Sequence, residues 1–481
     1  MLALIALSGS IWLAAVATAH GVESWGQAQG GSAHTGYIVE APAPPYQETW
    51  RFGVAPGGPD RAFGLSAPVV AGSTVVAVGP RAVVAADLHS GEPVWTVDRT
   101  YGPPVSPAFA LTTRGGVILY TQGFGDSPPG TSPTPSAQAS ASPAPSPAEP
   151  FASNLTAIDL ATLEPIWDQP LQLKEVSRTG VTVDGDSAYV GDNRGNVYAV
   201  DVASGTLRWS AKTGGFLANP LASADGSVVI AVQGGRTTRP RLMALADGDG
   251  SEMWNIQIQG AALFATSPVI SGGQVIVGLS DQTVRAFDLG DGSERWSARL
   301  NSPLFFTSAP AVAPDAVVVL DSFGQVYRLD PATGERLWDF ALNVSTPRTP
   351  AVVAGGYVLV ATSEGRLAAI DLGSGRLVWK SAGGDALLRS LTLTSDIVVG
   401  VRGGPDGGLV AFSHDVDGTL VSQVSPTELD LPALLGAFAA AAVGLTLLLA
   451  LGGRALASRM GPAFLDDDEG DPGARDRGTD P

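Results

Sequence analysis

Short runs of β-branched and aliphatic residues, each closed by glycine or a polar turn, recur down the chain. Val75-Val76-Ala77-Val78-Gly79, Val275-Ile276-Val277-Gly278 and Tyr357-Val358-Leu359-Val360 are three of them. Runs of this length and composition predict strands separated by tight turns. Downstream of each run lies a second, mixed pattern: an Asp ends an apolar stretch, a Gly stands four residues later, and a Trp four residues after that. Val200-Asp201, Gly205 and Trp209 show it in full, as do Asp87, Gly91 and Trp95; Asp288, Gly292 and Trp296; Asp330, Gly334 and Trp338; and Asp371, Gly375 and Trp379. Asp159 and Trp167 keep the spacing without the glycine, and Leu245-Ala246, Gly250 and Trp254 keep it without the acid.

The tryptophans give the period. Trp50, Trp95, Trp167, Trp209, Trp254, Trp296, Trp338 and Trp379 are separated by 45, 72, 42, 45, 42, 42 and 41 residues. The long interval contains a Pro/Ser/Ala-rich insertion, 126–150, and removing it restores a repeat of about 40–45 residues, the length of one four-stranded propeller blade. The pattern therefore predicts an all-β chain folded as a propeller.

The repeated residues have structural work to do. An Asp at a strand end can accept backbone N–H groups across the turn, and the Gly can take positive φ at little cost. A Trp opening the next strand can bury its ring between neighbouring blades, which is how a repeat array replaces a central core. Closure is also legible. Trp50 has no Asp/Gly strand before it, and Gly408-Leu409-Val410-Ala411-Phe412 reads as the third strand of a blade whose Trp strand is missing. Pairing the two gives eight blades and no open edge; seven blades is the alternative if the last repeat is not a blade.

The repeat resembles the pyrroloquinoline-quinone-type (PQQ-like) β-propeller family over about residues 22–422. Trp25-Gly26-Gln27-Ala28-Gln29-Gly30 and His34-Thr35-Gly36-Tyr37 are similar to the tryptophan-led segment that precedes the first blade in such proteins. The resemblance implies the fold. For function it implies a range: quinone-dependent alcohol dehydrogenases, scaffolds of outer-membrane β-barrel assembly, and sensor or adhesion ectodomains.

Ends and composition narrow that range. Residues 1–19 read as a secretory signal, with Ala17-Thr18-Ala19 before His20 as a small-x-small cleavage site. Residues 20–45 form the lead-in and 46–424 the propeller. An uncharged Ala/Leu-rich stretch, 431–453, is long enough to cross a bilayer. Arg454 and Arg459 follow it while Glu428 and Asp430 precede it, which places the C-terminus in the cytoplasm and the propeller outside. The tail, 454–481, with Asp466-Asp467-Asp468-Glu469, has too little apolar content to fold.

The formal charge of −18 argues against nucleic acid as a partner. Absence of cysteine excludes disulfides, thiolate metal sites and a lipid-modified cysteine anchor. His20, His34, His89 and His414 show no metal-ligand spacing, and Asp247-Gly248-Asp249-Gly250-Ser251-Glu252 reads as a repeat turn, since a calcium loop needs Gly sixth and Glu twelfth. No catalytic or metal-binding residue is therefore assigned, no cofactor is expected, and a cofactor-binding set is unknown. Two surface features stand out: Arg236, Arg239 and Arg241 in one long connection, and Phe305-Phe306 in a connection between blades. The expected function is an exported, single-pass, membrane-anchored propeller that binds an envelope protein or polymer as a scaffold or sensor. The alternative is a PQQ-dependent oxidoreductase.

Overall fold

Blade 1 shows how the sequence pattern becomes structure. Its strands Val69–Ala71, Thr74–Val78, Ala82–Asp87 and Pro93–Asp98 pair in sequence order as one antiparallel sheet. The middle strands are buried on both faces, whereas the fourth alternates exposed and half-buried positions. This explains continuous apolar runs in the former and period-two patterning in the latter. A computed structural model of the chain describes residues 25–53, 64–123, 152–234, 238–261, 263–264, 266–300, 308–346, 350–383, 386–403, 407–418 and 420.

Six further blades follow in order: blade 2 from Ala108 to Gln172, blade 3 from Val181 to Lys212, blade 4 from Ala222 to Gln257, blade 5 from Val269 to Arg299, blade 6 from Ala311 to Ala341 and blade 7 from Val352 to Lys380. Blade 8 takes three strands from the end of the repeat region, Leu388–Leu393, Ile397–Arg402 and Gly408–His414, and its fourth, Tyr46–Gly53, from the beginning. Trp50 lies opposite Ala411 in that ladder and Tyr46 opposite His414. The expected closure is thus the observed one, and the ring has eight blades rather than seven. First strands of neighbouring blades touch one another, so each sheet stands with its first strand innermost and its tryptophan strand at the rim.

The interblade seams explain the repeat. Trp209 on the fourth strand of blade 3 lies on Gly250 in the turn of blade 4, and its indole N–H donates to Asp247 O at 2.7 Å. Trp50 repeats this with Gly91 and Leu88 O, Trp167 with Gly205 and Val202 O, and Trp254 with Gly292 and Leu289 O. Trp296 does so with Gly334 and Pro331 O, and Trp338 with Gly375 and Leu372 O. The aspartates act as expected: Asp87 Oδ1 accepts the amides of His89 and Ser90, and Asp330 Oδ1 those of Ala332 and Thr333. The Ser90 amide at Asp87, and the Thr333 hydroxyl followed by its amide at Asp330, hold the two carboxyls below the usual carboxylate range.

Two seams depart from the rule. Beyond Trp95 the turn of blade 2 carries Leu163, at φ +62°, where other blades place glycine. Trp379 meets no such turn, because the third and fourth strands of blade 8 come from opposite ends of the chain. It packs edge-on against Tyr46 instead, with ring centroids 5.2 Å apart.

The insertion expected at 126–150 falls between the second and third strands of blade 2, which end at Gln122 and begin at Asn154. It lies outside the described residues, as do 1–19, 431–453 and 454–481. Among the described residues no helix is long and apolar enough to cross a membrane.

Candidate functional site

Inner strands of a propeller leave an edge of unpaired backbone groups pointing at the axis, and such edges need a partner. Here the lead-in supplies it. Residues 25–38 run around the axis from blade to blade, each short inner strand donating one amide. Val70 N reaches Trp25 O at 2.8 Å, Phe109 N reaches Gly26 O at 2.6 Å, and Val183 N reaches Gln27 Oε1 at 2.8 Å while Gln27 Nε2 donates back to Val183 O. The series continues with Ser223 N to Ser32 O, Ile270 N to Ala33 O, Val312 N to Thr35 O and Val353 N to Gly36 O. Tyr37–Ile38 then pairs in parallel with Val353 and Ala354, making the sheet of blade 7 five-stranded. The segment expected to precede the first blade is therefore a strap joining seven of the eight, anchored by Trp25, which is fully buried.

His34 lies inside this strap. Thr182 Oγ1 donates to Leu221 O at 2.6 Å, so the contact of 3.4 Å between Thr182 Oγ1 and His34 Nε2 has the imidazole donating, and His34 Nδ1 is left without a partner. Burial pushes its pKa down from 6.5 to about 4. The sign follows from linkage: as pH falls below 6.5 the unfolded chain takes up this proton first, so stability declines from pH 6.5 to 4 and levels off below. The full effect is about 3 kcal/mol. We expect His34→Asn, which tolerates the left-handed backbone at φ +56°, to remove that part of the decline in urea unfolding at pH 7 and pH 4; equal declines in both proteins would overturn this account.

The strap also bears on the cofactor implied by the family resemblance. A flat quinone on the axis would have to displace bonds made to the inner strands, and among the described residues no three His, Asp or Glu side chains converge as a metal would require. The described residues therefore offer no fit for a quinone with its metal ion.

The sequence candidates fall apart in space. His89 Nε2 lies 2.9 Å from Asp396 Oδ2 across the seam between blades 1 and 8, His414 Nδ1 lies 2.7 Å from Ala43 O, and His20 is outside the described residues. Asp247 to Glu252 forms the outer turn of blade 4, where Asp249 Oδ1 accepts the Ser251 amide at 2.9 Å. Arg241 is drawn onto Thr213 O while Arg239 is exposed; Arg236, Phe305 and Phe306 lie outside the described residues.

A cleft instead opens at the closing seam, between blades 7 and 8. It encloses about 590 Å³ and has an apolar floor of Tyr46, Trp379, Leu388, Val410 and Phe412. Its polar wall carries Arg51, Lys380 and Arg402 and, among the described residues, one carboxylate, Glu48. Glu48 is held by Arg51, whose Nη2 donates to Oε2 at 2.8 Å, so Arg402 reaches it only at 4.0 Å. Glu48 and Arg51 come from one end of the chain and Lys380 and Arg402 from the other, which is why no local motif marks the site.

Known proteins give the context for this geometry. The solved structure of BamB from Moraxella catarrhalis aligns over 76% of this chain and 100% of its own length, at 17% identity and a TM-score of 0.53. Quinohemoprotein alcohol dehydrogenase from Comamonas testosteroni aligns over 82% of this chain and 81% of its own length, at 12% identity and a TM-score of 0.59. At these identities both comparisons speak to the fold. By sequence, outer membrane protein assembly factor BamB of Moranella endobia (strain PCIT) is 27% identical over 203 residues. The match spans 42% of this chain and 43% of that relative, so less than half of either is aligned. The family description "Outer membrane protein assembly factor BamB" matches three overlapping stretches, residues 152–304, 218–349 and 322–461. On these matches and the eight-bladed ring, the chain belongs to the PQQ-like β-propeller repeat family described as outer membrane protein assembly factor BamB.

Proposed function

We propose that this protein is a protein-binding scaffold of the cell envelope: exported by residues 1–19, anchored by a single span at 431–453, with the propeller outside the cytoplasm and the tail 454–481 inside. The observation that carries the reading is the strapped axis. The chain fills the inner edges of its own ring, and what remains for recognition is the two faces and the rim, the surfaces a propeller offers to another macromolecule. Kinship with assembly factors points the same way. The insertion 126–150 joins the second and third strands of blade 2, which end at Gln122 and begin at Asn154, and we read it as an arm toward a partner.

Crosslinking in native membranes, followed by affinity capture and mass spectrometry, tests this. The expected result is a specific envelope component captured by the full chain and reduced when 126–150 is deleted. Repeated capture without any specific component would overturn it. The competing quinone oxidoreductase is tested on pure protein by adding pyrroloquinoline quinone and calcium; we expect neither a spectral change nor dye reduction.

A further inference from the structure

We propose that the cleft at the closing seam binds an acidic, apolar-spaced peptide segment of a protein partner. This inference rests on the scaffold reading above and names the site and the chemistry it would use.

The cleft exists because of how the ring closes. At six other seams a turn from the next blade, with its glycine, lies under the tryptophan. Blade 8 has no such turn, and the ring of Trp379 lines a hollow with Tyr46 and Phe412. Aromatic and aliphatic side chains over a volume of this size accommodate a few residues of extended chain.

Charge selects the occupant. The protein is strongly acidic overall, yet Arg51, Lys380 and Arg402 meet here and, among the described residues, Glu48 is the one carboxylate that lines the cleft with them. Lys380 is exposed, and Arg402 is mostly buried with its nearest carboxylate at 4.0 Å. Arg402 lines the cleft, and among the described residues its guanidinium donates no hydrogen bond and meets Glu48 Oε2 only at 4.0 Å. A carboxylate placed there gains a charge-assisted, two-point contact, while apolar side chains on alternate residues reach the floor. An inorganic polyanion would satisfy the cations but gain nothing from the apolar atoms that line the cleft.

The test uses the full chain and a fluorescein-labelled eight-residue peptide alternating Glu with Leu and Phe, followed by anisotropy. Saturable binding is expected, weakened about tenfold or more by Arg402→Gln combined with Lys380→Gln. Lys212→Gln, in the smaller cation-lined hollow of blade 3 with Lys174 and Arg194, should leave it unchanged. A matched peptide with Lys for Glu should not bind. Absence of saturable binding, equal binding to the double variant, equal binding of the lysine peptide, or preference for polyphosphate would each overturn the proposal. An unchanged thermal midpoint in the double variant confirms that binding, not folding, was altered. Membrane capture separates the two readings: a partner still captured by the double variant sinks the seam site and leaves the scaffold standing, whereas no capture by the unaltered chain sinks the scaffold itself.

Discussion

A chain that begins at Gly64 will not form the native ring. Removing 25–53 deletes the strand Tyr46–Gly53, with buried Tyr46 and Trp50, and the strap anchored by Trp25. The strand Gly408–His414 then becomes an open edge, and seven inner strands lose the acceptor of an inward amide. Exposed long edges drive association between chains, so the expected product is soluble aggregate or inclusion body without a cooperative unfolding transition. Sedimentation velocity and thermal unfolding check this against the chain lacking 126–150, which we expect to remain folded with an unchanged midpoint. A truncated protein that stays monomeric and unfolds at the original midpoint would show that neither strap nor closing strand matters.

The second large effect concerns a single hydrogen atom. Gly250 has φ +73°, and a Cβ built there would stand 2.5 Å from the ring of Trp209. Gly226, in another turn of the same blade, has φ +77° but nothing within 4 Å of such an atom. Substituting Ala at each position separates two costs that glycine usually hides together. Gly226→Ala should cost about 1 kcal/mol, the strain of a left-handed backbone. Gly250→Ala adds the displacement of a buried indole and its bond to Asp247 O, for about 3 kcal/mol in all. Equal losses in urea titrations would mean that the tryptophan seam yields freely. A seam this tolerant would also undercut the idea that the repeat exists to build it.

How much of this was legible in the sequence depends on the range of the interaction. The Asp, Gly and Trp spacing encodes a turn and a ring at nearest-neighbour distance along the array, and at six of the eight seams the structure places ring on glycine as the spacing suggests. Closure could be read because each half of blade 8 was visibly incomplete. The strap could not: Gln27 and His34 bind inner strands of blade 3, and their meaning depends on backbone amides whose inward direction carries no sequence signal. The seam cleft was hidden for a related reason. Glu48 and Arg402 are neighbours only because the ring closes, and neither belongs to the repeat. Of the residues singled out in advance, Arg239 and Arg241 go separate ways and His34, His89 and His414 do not converge, since clustering along the chain is a poor guide where adjacent turns point to opposite faces.

The closing strand also sets a temporal order. Tyr46–Gly53 is among the first parts of the ring to leave the ribosome, and its partner Gly408–His414 is the last strand to follow. Each blade up to the seventh can pair its own strands as it emerges, but the first strand must wait, unpaired, for the whole array. Contacts of such long sequence separation form late and slowly. A product cut short before Gly408 therefore exposes two unpaired edges at once, and is marked for removal by the same feature that makes the complete ring stable.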